Sequence, residues 1–479
     1  MNSSQNKPLS LVWLRRDLRL HDHAALAKAL SYNGQIQPVF IFDSDILQQF
    51  SNRKDRRLTF IAEALWKIHE ALAQKDSGVL VLHGRAQEII PKLTEIFSAE
   101  RVVCAEDFEP HTRKRDAAVQ EALEKQNREL LPVLDHLIFS PRDVLKSDGS
   151  PYLVFTPYSK TWRSKLKPNS FEEKKVSLTK DALPYFPAIA KKAHEVGLKV
   201  VNIGDGVASA LKTIGYEHNS LELWAIDNGQ KRLRQFVGEH INAYKTARDY
   251  MAQDGTSMLS PYFRHGIVSV REAARLAVEQ QKPDTWLNEL IWREFYAMIL
   301  YHFPESADTE LQQKYKNIKW VKSDELWNAF VECKTGYPVV DAAMRQLHEI
   351  GWMHNRARMI VASFLTKDLH LDWRLGEEHF AQWLMDYELA SNVGGWQWAA
   401  STGTDAAPYF RIFNPVTQSE RFDAKGAYIA EWLPELKELD AADIHMPTGL
   451  MRPKSYPAPI VDHKKERHKA LEMFKVLQD

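Results

Sequence analysis

LSLVWL (Leu9–Leu14), IQPVFIF (Ile36–Phe42), GVLVLHG (Gly78–Gly84), RVVCAED (Arg101–Asp107) and LPVLDHLIF (Leu131–Phe139) punctuate the first 140 residues of the chain. Between them lie segments of helical period, beginning near His23, over Asp55–Gln74, over Ala86–Phe97 and over Arg113–Leu130. Short apolar runs alternating with helix-period segments build βαβ units, and hence a mostly parallel sheet covered on both faces. Ligands of such sheets sit beyond the carboxyl ends of the strands. Residues 140–205 are irregular and rich in Pro, Lys and Ser, with SDGSP (Ser147–Pro151) a turn. From about Leu221 onward the pattern is helical almost throughout. The expected fold is an α/β N-terminal domain, a Rossmann-like doubly wound parallel sheet, followed by an all-α domain. The expected division is 1–140, a connection over 141–220, and 221–479.

The chain has 479 residues, enough for several domains at roughly 100–200 residues each. Hydrophobic residues make up 44% and charged residues 26%, a globular composition that excludes general disorder. No run approaches the ~18 apolar residues a membrane span needs. The apolar run behind MNSSQNKPLS stops at Arg15, so no signal peptide is read there. Two cysteines, Cys104 and Cys333, exclude a disulfide scaffold, and a four-cysteine cluster or zinc finger from this chain alone. The 63 basic and 63 acidic side chains balance, which excludes a uniformly basic nucleic-acid coat but not a local basic groove. These features fit a soluble, cytoplasmic enzyme; no metal, no membrane partner and a monomeric state are expected. Ten of the fourteen tryptophans lie between Trp286 and Trp432, which packing alone rarely produces; an aromatic-rich helical core is the alternative. No G-x-G-x-x-G follows a strand, and Gly204–Ser209 reads as a turn and helix start.

Around Leu287–Tyr301, an advance of about 100° per residue puts Glu289, Trp292, Arg293 and Tyr296 in one sector, with Leu287, Ile291 and Met298 opposite. A carboxylate, an indole and a guanidinium on one face suit a planar group stacked and hydrogen-bonded at its edge. They equally suit a surface salt bridge beside a half-buried tryptophan. In GWMHNRARM (Gly351–Met359) two arginines point differently, one suited to a buried anion and the other to phosphate. DYELASNVGGWQW (Asp386–Trp398) offers paired carboxylates, an amide and two glycines that permit close approach of a polar cofactor. GTSMLS (Gly255–Ser260) precedes a helix and suits a phosphate, although capping alone also explains it.

Together with WLNELIWREFY (Trp286–Tyr296), TGYPVVDAAMRQL (Thr335–Leu347), NVGGWQWAASTGTDAAPYFRIFNP (Asn392–Pro415) and the opening VWLRRDLRLHD (Val12–Asp22), these motifs resemble the photolyase/cryptochrome family. The resemblance covers nearly the whole chain, and within the family it is closest to the class I cyclobutane pyrimidine dimer photolyases. It implies an antenna-chromophore domain followed by a helical domain that binds FAD in a folded form and acts on DNA. The implied activity is that of a deoxyribodipyrimidine photo-lyase, a light-dependent carbon–carbon lyase. Excited reduced FAD gives an electron to a flipped-out pyrimidine dimer in single- or double-stranded DNA, and the electron returns after the cyclobutane bonds break.

Carried over by that resemblance, the flavin pocket uses Tyr244, Thr256, Ser257, Met258, Leu259, Ser260, Trp286, Asn355, Arg358, Asp386, Tyr387, Glu388 and Asn392. Thr256, Ser257 and Ser260 hold the pyrophosphate, Arg358 pairs with Asp386 beside the ring system, and Asn392 faces flavin N5. Trp292 and Trp398 wall the lesion pocket, with Met359 beneath and Asn355 beside it, and Glu289 hydrogen-bonds the dimer. Arg248, Arg293, Arg356 and Arg411 lie near DNA phosphates. Trp320, Trp373 and Trp396 match a tryptophan chain from surface to flavin. Glu109 resembles a carboxylate that contacts a folate antenna, so 5,10-methenyltetrahydrofolate is expected, with a deazaflavin or a second flavin as alternatives.

Some positions depart from the family pattern. Met258 replaces a frequent basic residue, Glu388 a usual Asp, Val393 a frequent Asn, and His23 a usual Asn. A cryptochrome photoreceptor is the runner-up, disfavoured by Asn392, where plant cryptochromes carry Asp, and by the short C-terminal segment. A (6-4) photolyase is third, because animal-type members use a histidine-rich lesion pocket where this chain has Trp352, Asn355 and Met359. A flavin-binding electron carrier would explain the pocket but not the lesion set.

Overall fold

The computed structural model describes residues 7–221 and 223–475. One compact unit takes the chain up to Val144, Trp162–Gly238 and Ser257–Pro283. The other takes Leu145–Thr161, Glu239–Thr256 and the chain from Asp284 onward.

In the first unit five parallel strands run in the order β3-β2-β1-β4-β5. They are β1 (Leu9–Leu14), β2 (Gln35–Asp43), β3 (Leu80–Gly84), β4 (Arg101–Ala105) and β5 (Glu129–Val133). Val12 faces Pro38 on one side and Val103 on the other. Pro38 can sit inside β2 because pairing with β3 begins only at Val39, so its missing N–H costs no ladder bond there. Leu11, Trp13, Val39, Ile41, Leu80, Leu82, Val102 and Cys104 share one core, while Val12, Leu14, Phe40 and Val103, on the alternate positions, are buried as well. Burial of both faces is why these strands read as continuous apolar runs rather than as alternation.

The expected fifth strand moves. LPVLDHLIF pairs only up to Val133, because Asp135 leaves the sheet to accept hydrogen bonds from Arg19, Arg271 and the Ala24 N–H. Leu137 and Ile138 are buried without strand pairing. The helix expected over Arg113–Leu130 is Pro110–Glu124, since β5 already begins at Glu129. Residues within 141–220 do more than connect. The Phe155–Ser164, Phe186–Glu195 and Val207–Thr213 helices fall here, and Lys199–Val201 lies along β3, with His83 N–H bonded to Lys199 O and Val201 N–H to Val81 O. That covers the exposed edge of β3, which would otherwise template pairing with another chain. Gly204–Ser209 is a turn running into the Val207–Thr213 helix, as expected.

His23 now has an account. Its Nδ1 accepts from the Leu26 N–H at 3.2 Å and caps the Ala24–Leu30 helix, as an Asn side chain would. Its Nε2 lies 3.3 Å from Asp17, both side chains fully buried.

The second unit is helical. Phe330, Val340, Met344, Leu347, Val361, Phe364, Leu365, Trp373, Trp396 and Leu433 belong to its main core. Among the described residues no helix is long and apolar enough to cross a membrane.

Candidate functional site

The Asp284–His302 helix is two-faced as its spacing predicts. Leu287, Ile291 and Met298 are buried, whereas Glu289, Trp292, Arg293 and Tyr296 are only partly buried. Glu289 is ion-paired to Arg248, two side chains assigned separately to lesion and phosphate. Burial pushes the Glu289 carboxyl above its usual range, against the pull of Arg248. Trp292 lies flat on Phe155, with ring centroids 3.7 Å apart and planes 3° apart. One face of Trp292 is therefore taken, and a base can stack only on what remains. Trp398 is half-buried, its ring 6.4 Å from Phe413.

The Asn355–Ser363 helix is capped by His354, whose Nδ1 accepts from the Arg356 N–H at 3.1 Å. Burial pushes the His354 imidazole down to about 4, so it stays neutral and keeps its capping lone pair. The two arginines diverge as read. Arg358 donates from Nε to Met353 O and from Nη2 to Asp386 Oδ2, both at 2.8 Å. Arg356 donates to Asp249 at 2.8 Å and lies over the Phe422 ring. Asn355 is exposed, and its Nδ2 approaches Met359 Sδ at 3.9 Å.

The Leu389–Ala400 helix packs against both of these helices. Asn392 Nδ2 donates to the backbone O of Glu377 at 3.1 Å and to its Oε1 at 2.9 Å. Glu388 forms a two-point pair with Arg293, Nε to Oε2 at 2.8 Å and Nη2 to Oε1 at 2.9 Å. Residues assigned to flavin and to DNA thus hold each other, with side chains only 12% and 13% exposed. Of the glycine pair, Gly394 serves helix packing, because a Cβ there would lie 2.2 Å from the Tyr296 ring. Only Gly395 opens onto free space.

The segments that carry Trp320, Trp373 and Trp396 are linked in turn. Val321 N–H bonds to His370 O, which ties the Trp320 segment to the start of the Trp373–Trp383 helix. One turn along, Gly376 lets the Trp396 ring pack on that helix, since a Cβ there would lie 2.1 Å from it. Trp320 is half-buried, Trp373 and Trp396 buried. Tyr244 and Trp286 are buried, and burial pushes the Tyr244 hydroxyl well up.

Family models describing the DNA photolyase and the FAD-binding domain of DNA photolyase match residues 10–177 and 286–476. A deoxyribodipyrimidine photo-lyase of Alkalihalophilus pseudofirmus is 38% identical, over 98% of both chains. The chain belongs to the DNA photolyase family. Among solved structures, a class III photolyase of Agrobacterium tumefaciens superposes with a TM-score of 0.84 at 28% identity, covering 100% of this chain and 99% of that one. A Synechocystis cryptochrome superposes at 0.79 with 25% identity, covering 97% of this chain and 99% of that one. Photolyases and cryptochromes thus share this fold, and the side chains must separate them.

The photolyase-like chain also carries groups that its sequence did not single out. Glu377, Phe155 and Asp249 each touch an assigned residue, yet each partner is distant in sequence and no local pattern flags it. In the first unit, Ser257–Ser260 leads into the Ser260–Arg264 helix as expected, and Met258 takes a positive φ of 49°. Arg232 Nη1 lies 3.7 Å from Met258 Sδ, so a cation stands beside the position where a basic residue is missing. Beyond the ends of β1 and β4, Arg16 Nη1 lies 3.3 Å from both Asp107 and Glu109. Against the upward push of burial, Arg16 and His136 hold Asp107 well below the usual carboxylate range. This is where the strand order switches, from β1–β3 on one side to β4 and β5 on the other.

Arg411 is exposed and makes no ion pair among the described residues, unlike Arg248, Arg293 and Arg356. Arg411→Ala is expected to flatten the log–log salt dependence of DNA binding by about 0.9, one phosphate contact, on damaged and intact duplex alike. An unchanged slope removes Arg411 from the DNA contact.

Proposed function

We propose that the chain is a light-driven deoxyribodipyrimidine photo-lyase that binds FAD and a pyrimidine dimer in DNA. When bound and fully reduced, FAD supplies the photoexcited electron that splits the dimer. The donor set fits that cofactor. Arg358 Nη1 and Asn392 Oδ1 make no hydrogen bond among the described residues, leaving one donor and one acceptor on two packed helices. Arg358, balanced by Asp386, would set positive charge beside the ring system, where reduction adds negative charge. Arg16, Asp107 and Glu109 support the antenna reading, with methenyltetrahydrofolate as the chromophore.

The observation that carries the repair reading is the Glu289–Trp292 face in the same unit as the Arg358–Asp386 pair. Trp292 offers stacking area to a base, and Glu289 offers an acceptor for its edge. Asn392 carries no acidic proton, which supports repair over a photoreceptor role. Trp292→Ala is expected to weaken dimer binding by about 1–3 kcal/mol, roughly 5- to 150-fold, with FAD content unchanged. Titration of a dimer-containing oligonucleotide by fluorescence anisotropy measures this, and equal affinities would remove Trp292 from the lesion pocket.

A further inference from the structure

Glu377 lies in the Trp373–Trp383 helix, 9% exposed, with no part in the site as described so far except its contact to Asn392. Its Oε1 accepts from Asn392 Nδ2 at 2.9 Å and from the Tyr387 hydroxyl at 3.2 Å. Its backbone O accepts from the same Nδ2 at 3.1 Å. A side-chain amide has two N–H groups and one carbonyl oxygen. The Asn392 Nδ2 makes both of its hydrogen bonds to Glu377, so the oxygen is the end left to meet a ligand. Turned over, the same amide would present N–H instead. The sense in which Asn392 faces its ligand is thus set by Glu377.

We propose that Glu377, steadied by Tyr387, is a positioning residue that fixes which end of the Asn392 amide faces bound FAD and couples the cofactor's reduction to its own protonation. The proposal rests on the reading that Asn392 faces flavin N5. A carboxylate only accepts, and so it retains the amide N–H; a neutral carboxyl also donates and competes to turn the amide. Reduction adds negative charge on the far side of Asn392, which favours the neutral form of Glu377. The groups acting on Glu377 divide by sign. Glu378 on its own helix and Asp308 after the Pro304–Ala307 turn push it up, while the hydrogen bonds from Asn392 and Tyr387 pull it down. Burial outweighs them all and lifts the carboxyl to about 7, where a small change nearby alters its charge.

Anaerobic potentiometric titration of bound FAD, from pH 5.5 to 8.5, tests this in the holoprotein. In the wild type the midpoint potential should fall more steeply with pH around 7 than at either end of the range. Glu377→Gln keeps an acceptor for Asn392 Nδ2 but cannot titrate. It should retain FAD and lose the steep region. Tyr387→Phe removes a hydrogen bond that favours the ionised form, and should move the steep region up by about 1 pH unit. Asn392→Ala reports on the underlying reading. If it leaves the potential unchanged at every pH, Asn392 does not face the flavin and that reading fails. If Asn392→Ala shifts the potential while Glu377→Gln superposes on the wild type, the reading stands and the role of Glu377 is overturned. Should Glu377→Gln not fold, an unshifted Tyr387→Phe profile overturns it equally.

Discussion

Trp396→Phe should leave the protein folded and flavin-loaded, yet unable to refill oxidised flavin under light. The indole packs on Gly376 and edge-on to Phe380, with centroids 4.9 Å apart, and a phenyl ring occupies most of that space. Phenylalanine is far harder to oxidise than tryptophan, so the route from Trp320 through Trp373 would end one residue short. With an external reductant present, photoreduction should fall to the dark background. Reduced chemically beforehand and kept anaerobic, the same variant should repair dimers at near wild-type yield, since in the proposed cycle the electron returns to the flavin. Transient absorption and repair yield, compared from the two starting states, separate the outcomes. Lost repair from the pre-reduced state would put Trp396 on the repair path, and normal photoreduction would mean that electrons enter elsewhere.

The second large effect is on stability. Asp135 is fully buried between Arg19 and Arg271, whose side chains are 4% and 5% exposed. Removing the carboxylate leaves two buried guanidinium groups near each other, with Asp22 still paired to Arg271 but no carboxylate on Arg19. Breaking a buried ionic cluster from one side costs about 3–5 kcal/mol. Asp135→Ala should lower the first transition in urea by that amount. An exposed-turn control, Asp148→Ala, should move it by less than about 0.5 kcal/mol. The pH dependence has a definite sign. Burial raises the Asp135 carboxyl, but Arg19 and Arg271 outweigh it and hold the group below its ordinary value. Its contribution is therefore present above the ordinary carboxylate range and lost as pH falls through the lowered value. A loss below about 1 kcal/mol in Asp135→Ala would show that the cluster relaxes or admits water.

Period and composition reveal what is local. Four of the five strands lie within the apolar runs or within one residue of them, because strands buried on both faces must be apolar throughout. The fifth departs from its run for the same reason, since Leu137 and Ile138 are apolar for packing and not for pairing. Lys199–Val201 is too short and mixed to show a period, yet it covers the edge of β3. At the site, the Arg358–Asp386 pair and the two-faced Asp284–His302 helix match what the motifs implied. Arg293–Glu388 spans 95 positions and Phe155–Trp292 well over a hundred, so only tertiary closure brings those partners together. By its pattern the glycine pair offers room for a cofactor, whereas Gly394 gives its room to Tyr296. Glu377 carried no signal because an isolated glutamate in an amphipathic helix looks like any solvated one.

The most direct test is repair itself. Reduced, FAD-loaded protein would be mixed under anaerobic conditions with an oligonucleotide holding one thymine cyclobutane dimer, then illuminated with blue light or kept dark. Recovery of the thymine absorbance in the light alone, with the flavin still reduced at the end and a (6-4) photoproduct oligonucleotide untouched, is the predicted result. Persistence of the cyclobutane dimer under light, while FAD stays bound and reduced, would contradict the account.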